Sequence, residues 1–311
     1  MSRDGFSYDP QDTQDMSPGG ARTRQKSTAL HTRNERSAEE GTPERSESLD
    51  IRERHCPEDE RVESPRAYFL RHRQYLLRGS ELNSLIDVGR FRVLPTADLA
   101  KYGYAGNRGR MEKHIRSLTG QGLLSDRTIE IPHKKTLRIL TLTKTGHRLL
   151  KNANQLPDNQ AIYHGLRKPR EAKHDADLYR LYQKEAARIE RSGGRPLRVI
   201  LDYELKKNLN RDLALLGPDK ENEERKREIA EKHGLQVIDG KIPLPDLRIE
   251  YQNSEMEVRH MDLELATRDY RPRGLAAKVK AGFALYGRAE DASRLRRVLD
   301  EGELTAAILS L

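Results

Sequence analysis

Cysteine is nearly absent: Cys56 is the only one in the chain. A single cysteine excludes an internal disulfide framework and a cysteine-built zinc site, and it suits a reducing compartment. Long apolar runs are missing as well, none approaching the roughly 18 residues of a membrane-spanning helix. No apolar segment follows Met1-Ser-Arg-Asp, so the expectation is a cytoplasmic chain with no secretory signal and no membrane partner. Hydrophobic residues make up only 35% of the 311, against 34% charged, which implies small cores, an unfolded portion, or both.

What is present is positive charge, unevenly placed. Residues 1–65 hold 10 Lys and Arg against 15 Asp and Glu, residues 66–170 hold 21 against 7, and residues 171–311 hold 27 against 27. The net charge of +9 therefore originates in the middle segment. A local excess of this kind is the footprint of a nucleic-acid-binding module, which gains affinity by neutralising phosphates and releasing counterions.

Residues 1–65 are rich in Ser, Arg, Glu, Asp and Gln without periodicity, and a disordered tail is expected there. Arg66 to Arg78 is basic and interleaved with Tyr68, Phe69 and Tyr75, and reads as a short helix or lead-in to a domain spanning 66–151. In that domain the pattern is a winged helix. Ser80 is a cap for a first helix ending near Gly89, Pro95 opens a second, and Asn107 caps a third over Arg108–Thr119. Ile115 and Leu118 anchor the third helix. Its other faces carry Arg108, Arg110, Lys113, His114 and Arg116, the residue types a recognition helix presents to a major groove. Two strands, Arg127–Ile131 and Leu137–Leu142, flank a basic wing tip with Lys134 and Lys135, suited to phosphate contact. A solvated surface or a dimerisation face is the other reading of these charges.

Residues 152–170 read as a linker, and 171–311 as an α/β domain. It opens on a helix over Glu171–Arg191, with His174 a packing or capping residue, and a strand over Leu197–Tyr203. Leu244–Tyr251 and Val258–Ala266 alternate as two strands of a hairpin, with Asp246 on one and Asp262 and Glu264 on the other sharing a polar face. Oxygen ligands of this kind suit Mg²⁺ or Mn²⁺, which activate water or stabilise a leaving oxygen in phosphodiester hydrolysis. The same alternation is what a half-exposed, solvated strand shows. A helix from Pro272, with Leu275, Val279, Gly282, Phe283 and Tyr286 as its apolar stripe, brings Lys278 to the border facing the carboxylates.

Taken in order, Val199-Ile-Leu-Asp-Tyr-Glu-Leu-Lys206, Leu244-Pro-Asp-Leu-Arg-Ile-Glu250, Asp262-Leu-Glu-Leu-Ala266 and Leu275-Ala-Ala-Lys278 resemble the PD-(D/E)xK nuclease superfamily. More specifically they resemble the replication-relaxation family of bacterial plasmids and mobile elements. The resemblance implies a winged helix followed by a nuclease-like α/β domain, a fold of the α+β class. It implies Asp246, Asp262 and Glu264 as metal ligands, Lys278 as the catalytic lysine, duplex DNA as partner, and a relaxase or replication initiator as associate. The sequence departs from the nuclease pattern where the lysine two residues after Glu264 is replaced by Ala266. Either Asp262-x-Glu264 carries the frame with glutamate in the lysine position, or the lysine has migrated to Lys278. No glycine-rich run has phosphate-loop spacing, and no His-Glu-x-x-His or closely spaced histidine pair is present, so an autonomous relaxase, helicase or polymerase is not expected. Two readings stay open: a metal-dependent DNA endonuclease, and a non-catalytic DNA-binding accessory factor or regulator. A palindromic DNA site would call for a homodimer.

Overall fold

The computed structural model describes residues 64–131, 135–153, 155–157, 159–166, 169–215, 223–267, 270–301 and 308–310. The tail expected over 1–65 therefore lies outside the described residues, apart from Ser64 and Pro65, as does Lys134 at the wing tip. All described residues belong to one compact unit, Leu49–Leu311. Among them no helix is long and apolar enough to cross a membrane.

The chain enters on a hairpin, β1 (Arg66–Leu70) and β2 (Arg73–Leu77), where a helix or lead-in was expected. Two-residue periodicity decides it. Tyr75 and Leu77 are buried and Tyr68 and Leu70 pack beside them, while Phe69 and Leu76 alternate outward. Arg71, at φ 56°, makes the tight turn.

A three-helix core follows: α1 (Gly79–Phe91), α2 (Thr96–Asp98) continued by a π-turn over Leu99–Gly103, and α3 (Arg108–Gly120). The cap of α1 is Arg78 rather than Ser80, with Glu81 reaching back to the Arg78 N–H at 2.8 Å. Asn107 caps α3 by accepting from the Arg110 N–H at 3.0 Å. Gly122, at φ 74°, ends α3, where the Leu123 N–H returns to the Leu118 carbonyl at 2.9 Å. Strands β4 (Leu124–Ile131) and β5 (Lys135–Leu142) form the wing, with the short β3 (Leu94–Pro95) against β5. Helix α4 (Lys144–Asn152), capped by Thr143, closes the lobe. It lies so close to the chain after α3 that a Cβ on Gly146 would stand 2.2 Å from the Leu123 carbonyl oxygen. Together these elements are a winged helix.

The expected linker is not loose where it is described. Ile162 is buried in the core, and the Gln160 amide pairs with Val199, donating to its carbonyl at 2.9 Å and accepting from its N–H at 3.0 Å. The next helix, α5 (Ala172–Arg191), is buried on two sides. Towards the winged helix, Tyr179 meets Phe91 edge-on at 5.1 Å, and Arg180 holds Asp98 at 3.0 Å. Towards the sheet, Glu185 accepts from the Tyr286 hydroxyl and Asp177 pairs with Arg288. One hydrophobic core consequently runs from Leu85 and Phe91 through Tyr179 to Ile249 and Leu263.

The second sheet has the order β10-β9-β8-β7-β6. Its first strand, β6 (Arg195–Leu201), turns directly into α6 (Asp202–Ala214), so Asp202 and Tyr203 start a helix instead of ending a strand. Helix α7 (Glu223–Lys232) leads to β7 (Leu247–Gln252) and β8 (Val258–Ala266), both antiparallel to their predecessors. Helix α8 (Pro272–Lys280) then returns the chain to β9 (Ala284–Gly287), parallel to β8. Gly282, at φ 81°, ends α8, which puts Tyr286 in a strand rather than on the expected helical stripe. After α9 (Ala289–Glu301), β10 (Ile308–Ser310) adds a parallel edge to β9.

Candidate functional site

Two charged regions stand out, one in each lobe. On α3 the side chains of Arg108, Arg110, Lys113 and Arg116 are exposed, while Met111, Ile115 and Leu118 face the core. His114, expected among the groove-facing residues, is 4% exposed. Its Nδ1 lies 3.0 Å from the Tyr104 hydroxyl and 3.4 Å from Ser80 Oγ, so it fastens α3 to the preceding helices. The physical reason is spacing: His114 sits three residues after Met111 and next to Ile115, inside the apolar stripe. The one acidic side chain of the helix, Glu112, is bound by Arg138 of β5, with Nη1 at 2.5 Å and Nη2 at 3.0 Å. Arg138 also holds Asp126 of β4 at 2.6 Å, joining helix to wing through three charges. Lys135 is exposed at the base of the wing tip.

The second region lies where β6 ends, β7 begins and β8 approaches its end. Asp246 precedes β7 opposite Glu264, and the two carboxylates interlock with each other's backbone. The Asp246 N–H donates to Glu264 Oε2 at 3.2 Å, and the Leu265 N–H donates to Asp246 Oδ2 at 2.9 Å. Lys278, from α8, reaches Glu264 Oε1 at 2.9 Å and also donates to the Leu244 carbonyl. The Tyr270 hydroxyl donates to the same Glu264 oxygen. From the first turns of α5, His174 Nε2 stands 3.5 Å from Asp246 Oδ2. Asp202, at the start of α6, donates its N–H to the Asp246 carbonyl at 3.2 Å.

Burial sets the electrostatics here. Glu264 is fully buried, which pushes its carboxyl up to about 7; the charge of Asp246 adds to the rise, and Lys278 and Tyr270 offset only part of it. Burial pulls the His174 imidazole down, but hydrogen bonds to Asp175 and Asp246 and their charges outweigh it and hold it near 10. Burial raises Asp202, helped by Asp246 and opposed by its own helix-start hydrogen bond. Arg92, which follows α1 at φ 65°, reaches across from the winged helix to Asp175 at 3.6 Å and Glu171 at 3.8 Å.

Of the four residues expected to act together, Asp246, Glu264 and Lys278 are in contact and Asp262 is not. Asp262 faces the same side of the sheet, but Arg248 takes both its oxygens at 2.6 and 2.8 Å. That guanidinium is 5% exposed and also donates to the His233 and Gly234 carbonyls, so it is locked in place. The expected three-carboxylate cluster therefore does not form, and among the described residues no group of three or more His, Cys, Asp or Glu is arranged to hold a metal ion. Asp246 and Glu264 remain as two adjacent carboxylates. Donors already lie on both Glu264 oxygens and on Asp246 Oδ2. Sequence reasoning missed Asp202, Tyr270 and Arg92, and it read His174 as a packing or capping residue, whereas its Nε2 stands 3.5 Å from Asp246 Oδ2.

No protein-family model and no curated protein matches the chain. Among solved structures it is similar to the crystal structure of Bacillus subtilis PadR in complex with operator DNA, over 50% of this chain and 93% of that chain, at 16% identity and a TM-score of 0.22. The winged-helix assignment rests on the geometry above, and the replication-relaxation resemblance on its sequence blocks.

Proposed function

We propose that this is a duplex-DNA-binding accessory protein of the replication-relaxation type, with α3 entering the major groove. The observation that carries the reading is the exposed row of Arg108, Arg110, Lys113 and Arg116 on a capped helix whose own carboxylate is bound away by Arg138. Such a face neutralises phosphates at no cost in buried charge. Replacing Arg110 and Lys113 with alanine should weaken duplex binding on the order of a hundredfold and flatten the dependence of affinity on salt. Fluorescence anisotropy across a salt series measures both, and unchanged affinity would sink the reading.

In the second lobe, the contact of Lys278 with Glu264 beside Asp246 supports a nuclease-like site acting on phosphodiesters. Asp246 and Glu264 would hold Mg²⁺ or Mn²⁺, which when bound supplies an activated water and charge stabilisation. Lys278 is placed to hold a proton or stabilise negative charge beside Glu264, and His174 holds the Asp246 carboxylate in position. A non-catalytic scaffold is the second reading, favoured by the donors that already occupy both Glu264 oxygens. Calorimetry with Mg²⁺ and Mn²⁺ on the intact protein, Asp246→Asn and Glu264→Gln separates them. Saturable binding lost in both variants supports the nuclease-like site, and no binding by the folded protein leaves the scaffold. A relaxase or replication initiator as associate belongs to the same proposal.

A further inference from the structure

The β1–β2 hairpin has an exposed face that the winged helix does not use. Strand pairing sets Phe69 opposite Gln74 and Ala67 opposite Leu76, and paired residues share a face. Phe69 is 67% exposed and Leu76 50% exposed, which leaves an aromatic ring and a leucine side by side in water. Around them the chain is cationic. Arg66 to Arg78 contains four arginines and a histidine and no acidic residue; Arg71 is exposed at the turn, while Arg73 lies on the opposite face over the Tyr75 ring at 4.9 Å.

This face is rigidly placed relative to α3. Tyr75 and Leu77 anchor the hairpin in the core of the winged helix. The side-chain amide of Gln121, just past the end of α3, grips β2 by accepting from the Leu76 N–H at 3.2 Å and donating to the Leu76 carbonyl at 3.1 Å. The hairpin thus stands at the carboxyl end of the proposed recognition helix.

We propose that this face binds an unpaired strand adjoining the duplex held by α3, with Phe69 stacking on a base and Arg71, at the turn, contacting its phosphates. The chemistry selects the occupant. An exposed arginine on a stretch with no carboxylate of its own matches a polyanion, and an exposed ring stacks on the face of a base only where that base is not already stacked in a duplex. The chain then recognises a junction between duplex and single strand. The inference rests on the DNA-binding reading of α3 and narrows it.

Anisotropy on the full-length protein tests it, with a blunt duplex compared against the same duplex carrying a single-stranded extension of about ten nucleotides at either end. One extension should tighten binding roughly tenfold. Phe69→Ala should lose that gain while binding the blunt duplex as before, and Arg71→Gln should lose part of it together with part of its salt dependence. Phe69 is exposed, so the variants should melt with the intact protein. No gain in the intact protein, or a Phe69→Ala loss equal on blunt and extended duplexes, overturns the inference and leaves α3 untouched. Failure of α3 shows separately, as blunt-duplex affinity indifferent to Arg110→Ala and Lys113→Ala. Sedimentation supplies the remaining outcome: a dimer that Phe69→Ala converts to monomer would make this a self-association face and overturn the inference.

Discussion

On α3 the basic side chains point into water and their neighbouring carboxylate is tied off by Arg138, whereas at the strand ends of the second lobe acidic side chains lie buried among basic ones. The first arrangement costs the fold little, because these exposed charges stay in contact with water. The second is expensive unless every charge is matched, because burial removes hydration that only partners can replace. Matching is what is observed: Arg248 on Asp262, Lys278 and Tyr270 on Glu264, His174 beside Asp246. Charge on the outer face of α3 is therefore exposed to solvent, and charge around Glu264 and Asp262 is mostly committed to neighbours.

The sharpest way to break that contrast is to strand a buried charge. Arg248→Ala should cost about 3–5 kcal/mol, since it leaves the Asp262 side chain, 10% exposed, with only His260 at 3.9 Å beside it. Denaturant unfolding measures it, and replacing Asp262 by leucine in the same chain should recover most of the loss, because an apolar pair of similar volume avoids the desolvation cost. A loss under about 1 kcal/mol would mean that the pair behaves as a surface bridge does.

A smaller effect follows from Glu264. Its carboxyl is raised from the ordinary value to about 7 in the folded protein, so the native state binds the proton more tightly than the unfolded chain. The stability it contributes is fully present below the unfolded value near 4.5 and is lost as pH rises through about 7. The total is roughly 3 kcal/mol across that window. Glu264→Gln cannot titrate and should remove this slope from the stability profile of the metal-free protein. An unchanged slope between pH 4.5 and 7 would assign it to other groups.

Much of this contrast is legible in sequence, for uneven reasons. Capped helices and alternating strands follow from local periodicity, so α3 with Asn107 and the full extent of β8 can be read directly. Exposed arginines can be read by residue type, because nothing else has to be known about them. Buried polar residues cannot. His114 looks like one more cation of a basic helix until Tyr104 and Ser80 are seen around it. Asp262 looks equivalent to Glu264 until Arg248, paired directly opposite it on β7, proves close enough to claim it. Lys278 was legible from its angular position on α8, but Tyr270 and Asp202 lie on a turn and at a helix start whose placement depends on the sheet. The Arg66–Arg78 hairpin was misread because its two-residue alternation is short and interrupted at the turn.

The smallest stability effect should accompany a clear functional one at Arg138. Its guanidinium is 39% exposed and binds Glu112 and Asp126 in a solvated setting, so Arg138→Ala should cost under about 1 kcal/mol of stability. The same substitution frees the Glu112 carboxylate on the helix that carries Arg108, Arg110, Lys113 and Arg116. One negative charge returned to that face cancels part of its attraction for phosphate, so duplex affinity should fall several-fold at low salt and less at high salt, where screening shortens the reach of the charge. Adding Glu112→Gln should restore the affinity without restoring the bridge. Restoration would show that Arg138 acts on binding by removing a charge; persistence of the defect would show instead that it acts by holding the wing against α3.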